Sequence, residues 1–348
     1  MYRFLILVGL LSLSSGLHAQ YDHEHVFPDL NGEALLEAVQ SSYTTPSVLS
    51  FSNARDTLFS KVWTIDDSLA CVYTGFKRYI DPNEDPTTTV FNDGTPDGIN
   101  TEHSYPRSKG ADSGNPRADM HHLYPTRVDV NGVRASFPFE EIPDSETATW
   151  YFDDIKTNIE PQDSEKDLYS EFRSGGFEVR ESFKGNIARA VFYFYTIYRD
   201  EANAADSDFF PLQQEDLCDW HFADPVDQEE WDNTFKIAKY QSDIPNPFIL
   251  DCRLARLYCP EIDMACGLVN SSDLDVSNVE IYPNPTNDLL YINSFNEEIK
   301  VELLNITGQP TGVNVLTNTL DLGSLNSGAY ILKISSSKGV ISKIVFKQ

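Results

Sequence analysis

The chain is 348 residues long, with 54 Asp and Glu against 26 Lys and Arg and a formal net charge of −28 at pH 7. That balance excludes a uniformly basic nucleic-acid binder, because phosphate binding rests on Lys and Arg displacing counterions. No segment beyond the N-terminal leader is apolar for long enough to span a bilayer, and the length accommodates two domains.

The N-terminus opens with Met1-Tyr2-Arg3, continues through an apolar run over residues 4–11 and reaches Leu17-His18-Ala19. A positive start, a short apolar core and a small-residue exit predict a secretory signal peptide over residues 1–19, so the mature protein is expected outside the cytoplasm. Residues 20–269, rich in aromatic residues and broken often by Asp, Asn and Pro, read as one domain of mixed α and β structure. Helices are predicted over residues 30–40 from Leu35, Leu36 and Val39, and over residues 228–240. The clearest helix covers residues 185–198, where Ile187, Ala190, Val191, Phe194 and Tyr198 keep one face and Phe192, Tyr193 and Tyr195 fill the others, which predicts deep burial. A break is expected at Pro245-Asn246-Pro247. Residues 270–278 read as a polar linker. Residues 279–348 carry alternating strands at 289–292, 300–304, 330–334 and 341–346 between Asn, Gly and Ser turns. The expected fold class is therefore α+β, a mixed domain followed by a small all-β sandwich that folds separately.

Five cysteines, Cys71, Cys218, Cys252, Cys259 and Cys266, leave at least one unpaired within a monomer. Export favours disulfides, but the pairing cannot be deduced from spacing. A thiolate metal site from Cys252, Cys259 and Cys266 is the alternative, although the spacing matches no familiar zinc pattern. Charge is also uneven along the chain. Arg107, Lys109, Arg117, Arg127 and Arg134 outnumber the acids between His103 and Arg134, and Arg173, Arg180, Lys184, Arg189 and Arg199 outnumber those over residues 172–199. A basic working face on an acidic body is the expectation.

Residues 100–137 concentrate the chemistry. A hard divalent cation takes oxygen ligands, which Glu102 and Asn131 can supply. Activating water near neutral pH takes a base such as His103. A phosphate suits a guanidinium fork such as Arg134, with Arg107 and Arg117 as the other arginines within reach. Asp119, His121 and His122, interleaved with Met120 and Leu123, read as a buried network bracing the site. Because neighbours in a strand face opposite ways, Glu102 and His103 can share a site only where the strand ends or bulges, and Tyr105-Pro106 supplies an ending.

Together, Asn100-Thr101-Glu102-His103-Ser104-Tyr105-Pro106-Arg107-Ser108, Asp119-Met120-His121-His122-Leu123-Tyr124-Pro125 and Val130-Asn131-Gly132-Val133-Arg134 resemble the endonuclease I family of exported, non-specific nucleases with a ββα-metal (His-Me) finger. Lys184-Gly185-Asn186-Ile187-Ala188-Arg189-Ala190, and Gln241 with Asn246-Pro247-Phe248-Ile249-Leu250-Asp251, extend the resemblance over residues 60–255. It implies His103 as general base, Glu102 and Asn131 as ligands of one Mg²⁺ (Ca²⁺ or Mn²⁺ being the other ions considered), and Asp119 with His121 as braces. It implies a strand, loop, strand and helix from Asn100 to Arg134, and DNA as substrate with RNA as a second candidate. Ile281-Tyr282-Pro283-Asn284-Pro285-Thr286 and the basic end Lys343-Ile344-Val345-Phe346-Lys347-Gln348 resemble the C-terminal sorting domain of type IX secretion, which implies the export machinery as partner and a secreted or surface-attached product. Three other readings stand beside these. One is a catalytically silent nucleic-acid-binding module. Another is a surface protein binding Ca²⁺ through Asp93, Asp97 and Asp112. For the tail alone, the other reading is a carbohydrate- or protein-binding sandwich.

Overall fold

A long helix buried on every side organises the larger part of the chain. In the computed structural model, which describes residues 25–259 and 280–348 except 294–299, 306–308, 314, 317–318 and 337–338, the chain divides into two compact units, Met1–Cys266 and Gly267–Gln348. The expected signal peptide and linker lie outside the described residues.

The first unit begins with α1 (Gly32–Tyr43), which buries Leu35, Leu36 and Val39, and α2 (Phe51–Thr57), whose N-cap Ser50 accepts from Asn53 N. A meander of β1 (Thr64–Ile65), β2 (Ser68–Ala70) and β3 (Lys77–Tyr79) follows, then α3 (Pro86–Phe91). Next come β4 (Ile99–His103), α4 (Gly114–Ala118), β5 (Leu123–Arg127) and α5 (Val128–Arg134). A four-stranded sheet, in the order β7 (Ile155–Thr157), β6 (Thr149–Phe152), β8 (Ser170–Arg173) and β9 (Gly176–Glu178), precedes the helical core.

In that core, α6 (Lys184–Ile197) has every residue buried, as the predicted stripe and the extra aromatics require. It is flanked by α7 (Arg199–Asp206), α8 (Gln214–Ala223), α9 (Gln228–Ala238) and α10 (Pro247–Leu250). The chain thus turns at Asn246 only to start another short helix, its side chain capping Phe248 N at 3.0 Å. Tyr105 stacks on Phe194 at 4.3 Å and Tyr195 on Phe210 at 3.9 Å, so the aromatic faces of α6 hold both the distant loop after β4 and the turn that follows α7. A Cβ on Gly185 would meet Asp224 O at 1.9 Å, so only glycine lets the start of α6 pack here. Burying charge is costly unless it is paired, and both charges of α6 are. Arg189 forms a two-pronged bond to Glu230 at 2.7 and 2.6 Å, and Lys184 Nζ lies 2.6–2.8 Å from Glu141, Glu178 and Glu181.

Cys218 and Cys259 form a disulfide across 41 residues, a loop whose closure stabilises the fold by about 4 kcal/mol through the unfolded state. Cys252 is also disulfide-bonded and Cys71 is a buried thiol. With Cys259 bonded to Cys218, the three-cysteine metal site is ruled out.

The second unit is all-β among its described residues. Its two antiparallel sheets have the order β10 (Glu280–Tyr282), β11 (Leu289–Asn293), β14 (Thr319–Asp321), β13 (Val315–Leu316) and the order β12 (Lys300–Asn305), β15 (Gly328–Ser336), β16 (Gly339–Lys347). Leu290, Ile292 and Leu320 from one sheet meet Leu303, Leu332, Ile334 and Val345 from the other, as the alternation predicts for two facing sheets.

Candidate active site

The segment from β4 to α5 folds as strand, loop, strand and helix, with β4 antiparallel to β5 in a register that pairs Glu102 with Tyr124 and His103 with Leu123. Asn131 lies on α5, as expected. The loop between the strands is held by Asp119, which is fully buried. Its Oδ1 accepts from His121 N at 3.0 Å and Gln241 Nε2 at 2.8 Å, and its Oδ2 accepts from the Tyr193 and Tyr198 hydroxyls at 2.8 and 2.7 Å. Burial would raise the carboxyl, but His121, His122 and these donors hold it below the usual range. A buried carboxylate with four donors is a rigid anchor.

His103 ends β4. Its Nε2 lies 3.0 Å from the Arg117 carbonyl oxygen. A carbonyl only accepts, so Nε2 carries the proton and Nδ1 the lone pair. Burial, with His122 adding to it, pushes the ring down to about 3, so it is unprotonated at neutral pH and its Nδ1 lone pair is available as an acceptor. His121, His122 and His221 likewise donate from Nε2 to carbonyls of Ile244, Pro116 and Cys252 at 2.7–3.0 Å, but their Nδ1 atoms are sealed without a partner. His103 is not in that condition. It retains 7% exposure, and its unpartnered Nδ1 is open to solvent.

Glu102 faces the other way. Alternate residues Asn100 and Glu102 of β4 look toward α5, where Asn131 and Arg134 share a face at i, i+3 spacing. Asn131 Nδ2 donates to Asn100 Oδ1 at 2.8 Å and to Thr101 O at 3.3 Å. The second partner fixes which end of the amide is nitrogen, and Oδ1 is left with no partner among the described residues. Arg134 Nη1 donates to Glu102 Oε1 at 2.7 Å. Burial pushes the Glu102 carboxyl up to about 7 against the pull of Arg134. The pairing of Glu102 and His103 therefore depends on the strand ending at His103, since the two side chains diverge.

The expectation that Arg134 grips phosphate meets a different environment. It is 1% exposed, lies over the Phe139 ring at 4.4 Å, and donates from Nη1 and Nη2 also to His103 O and Ser104 O at 2.9 and 2.7 Å, with Nε buried and unpartnered. It clamps the end of β4 and has no free fork. Arg107 is exposed and bridged to Asp112 at 2.8 Å. Arg117 has no carboxylate partner among the described residues, and its guanidinium rests 4.8 Å from the centroid of Phe51, the ring that also meets His103 at 5.4 Å. Nothing in the sequence pointed to Phe51, which lies in another helix.

The basic face read from charge windows is largely consumed by tertiary ion pairs. Lys109 meets Asp206 at 2.6 Å, and Arg173, Lys184 and Arg189 reach Glu140, Glu141 and Glu230, while Arg127 takes its sequence neighbour Asp129 at 3.0 Å. Window counting misses acids that arrive from elsewhere in the chain. Asp97 is paired with Arg78 and Asp112 with Arg107, so among the described residues Asp93, Asp97 and Asp112 do not gather into a cation site. The carboxylates that do converge, Glu141, Glu178 and Glu181, already surround the Lys184 ammonium. A cavity of about 400 Å³ between Trp63, Cys71, Arg180 and Phe183 contains none of the finger residues and does not mark the site.

Comparison with known proteins agrees with this geometry. Residues 280–348 match the Secretion system C-terminal sorting domain, so the second unit carries the type IX address for the cell surface or the medium. Over 163 residues the chain is 28% identical to the Extracellular ribonuclease of Bacillus subtilis (strain 168), an alignment covering 43% of this chain and 50% of that protein. The chain thus spans about half the length of the curated relative it matches. Residues 33–252 match the family model described as Endonuclease I, which takes in most of the chain including the whole finger, and the chain belongs to the Endonuclease I family.

Proposed function

We propose that this chain is a secreted, metal-dependent, sequence-tolerant endonuclease that hydrolyses phosphodiesters in DNA and also in RNA. The observation that carries the reading is the state of His103, a neutral imidazole whose Nε2 is committed to Arg117 O while Nδ1 is open. The Endonuclease I family supports nucleic acid as substrate, and the Bacillus subtilis relative, an extracellular ribonuclease, favours including RNA.

His103 Nδ1 takes a proton from water as the oxygen attacks phosphorus in line with the leaving 3′ oxygen. Its bond to Arg117 O holds the ring through that transfer and spreads the imidazolium charge. The Arg117 guanidinium, free of carboxylates, is assigned to the charge building on the phosphoryl oxygens. Arg134 keeps Glu102 in place and so acts through it. The donor set fits a hard cation: Asn131 Oδ1 is unpartnered, and Glu102 is a buried carboxylate compensated on one oxygen by Arg134. Glu102 and Asn131 would hold a divalent ion, Mg²⁺ first and Mn²⁺ or Ca²⁺ as alternatives, which would supply neutralisation of the leaving oxygen. The test is incubation of purified protein with supercoiled plasmid and with RNA, with and without chelator. Cleavage abolished by chelation and restored by Mg²⁺ is expected; intact substrate under all conditions would sink the reading.

A further inference from the structure

We propose that Arg55, outside the finger, binds a phosphate of the substrate backbone next to the one being cleaved, with Phe51 as the platform that places it. The inference rests on the nuclease reading and adds a subsite to it.

Phe51 and Arg55 stand one turn apart on α2, and α2 packs on α4, which carries Arg117. The Arg55 guanidinium lies 5.1 Å from the Phe51 centroid and that of Arg117 lies 4.8 Å from it, while the His103 ring meets the same phenyl at 5.4 Å. One half-buried aromatic ring thus gathers two guanidiniums beside the nitrogen proposed as base.

Neither guanidinium has an anion among the described residues. In a chain of 54 acids that is unusual. Arg78, Arg107, Arg127, Arg134, Arg173 and Arg189 each reach a carboxylate within 3.0 Å. Three more arginines are engaged by carbonyls or by His25. Among the described residues only Arg55, Arg117 and Arg199 have no hydrogen bond or ion pair from the side chain, and Arg199, in α7, rests on the Tyr195 ring of α6 and not on Phe51. Moreover, the Nε atoms of both Arg55 and Arg117 are buried without an acceptor. Asp85 is close enough to feel the charge of Arg55 but is not within ion-pair distance. A planar five-donor cation held on a ring, with an acceptor missing, suits a phosphate diester. Because such a contact reads neither base nor sugar, it accounts for tolerance of sequence.

The test uses Arg55→Gln, which keeps the stem on Phe51 and removes the charge, with Arg55→Lys as a charge-retaining control. Binding of fluorescent duplex DNA and of single-stranded RNA is followed by anisotropy over a salt series, in a His103→Ala background so that substrate stays intact. Arg55→Gln should weaken both ligands by roughly tenfold and lower the salt slope by about 0.9 for duplex and about 0.7 for single strands. On the active enzyme it should raise KM with little change in kcat, and Arg55→Lys should recover most of the slope. An unchanged slope and KM in folded Arg55→Gln, or weakening confined to one ligand, would overturn the assignment. If the enzyme with His103 intact proves unable to cut either polymer, the nuclease reading fails, and the binding series still decides whether Arg55 meets phosphate.

Discussion

His103 Nε2 lies 3.0 Å from the backbone oxygen of Arg117, and this contact joins the end of β4 to the last turn of α4. It settles the tautomer through an atom no mutation removes, so the imidazole can be tested without disturbing its acceptor. His103→Ala should lower turnover by roughly 10²–10⁴-fold, the usual contribution of a general base, with an unchanged circular dichroism spectrum. Turnover near that of the parent enzyme in the folded variant would remove His103 from the mechanism.

Arg134 and Arg117 should separate cleanly. Breaking a buried ion pair costs about 3–5 kcal/mol, so Arg134→Ala should lower the urea midpoint sharply, because Glu102 is left buried and alone and two carbonyls lose their donor. Arg117→Ala deletes a side chain with no hydrogen bond among the described residues, so it should leave stability nearly intact and lower kcat. Equal stability losses in the two variants would contradict the division between clamp and phosphate contact.

Glu102 and Asn131 face one another's neighbours across β4 and α5, with no hydrogen bond between themselves. If they share one cation, Glu102→Gln and Asn131→Ala should each weaken Mg²⁺ affinity by at least about tenfold. High Mg²⁺ should restore part of the activity, since one ligand remains. Activity against metal concentration measures this, and superimposable titration curves for parent and variants would place the ligands elsewhere.

The stripe Ile187, Ala190, Val191, Phe194 predicted a helix over residues 185–198, and α6 covers Lys184–Ile197, because apolar periodicity is a local signal. The finger was legible for the same reason, its chemistry lying within one short segment. What spacing could not show was which face each side chain takes. Asp119 finds its donors 74, 79 and 122 residues away in Tyr193, Tyr198 and Gln241. Arg134, expected from the sequence as a fork for phosphate, instead meets Glu102 from 32 residues earlier in a buried pair. Phe51 and Arg55 carry no motif at all, and only packing brings them to His103.

Acid stability offers a separate check through His221, remote from the finger. Burial lowers this ring to about 3, helped by the charge of Arg189, while the unfolded side chain titrates near 6.5. Below pH 6.5 the unfolded chain binds a proton that the folded one refuses until about pH 3, so His221 removes stability throughout that fall. Its contribution should approach 1.4 kcal/mol per pH unit. A non-titrating residue, as in His221→Gln, should flatten the curve of unfolding free energy against pH between 6 and 4 by up to that slope, even if it lowers stability at pH 7. Parallel curves for parent and variant would show that the ring is not held neutral.

The last prediction concerns the tail. Residues 280–348 match a sorting domain, form their own two-sheet core and contain none of the residues assigned to catalysis. Catalysis should therefore reside wholly in the first unit, and a chain ending at residue 269, beyond the described helices of that unit, should match the full chain in specific activity and metal dependence. Export should respond in the opposite way. The signal peptide expected over residues 1–19 would carry the chain across the inner membrane only, so in the native host the shortened protein should accumulate active in the periplasm and be absent from the cell surface and medium. Fractionation followed by a nuclease assay on each compartment reads both halves at once. Inactivity of the purified shortened chain would tie the tail to the active unit, and normal appearance in the medium would deny it the role of address.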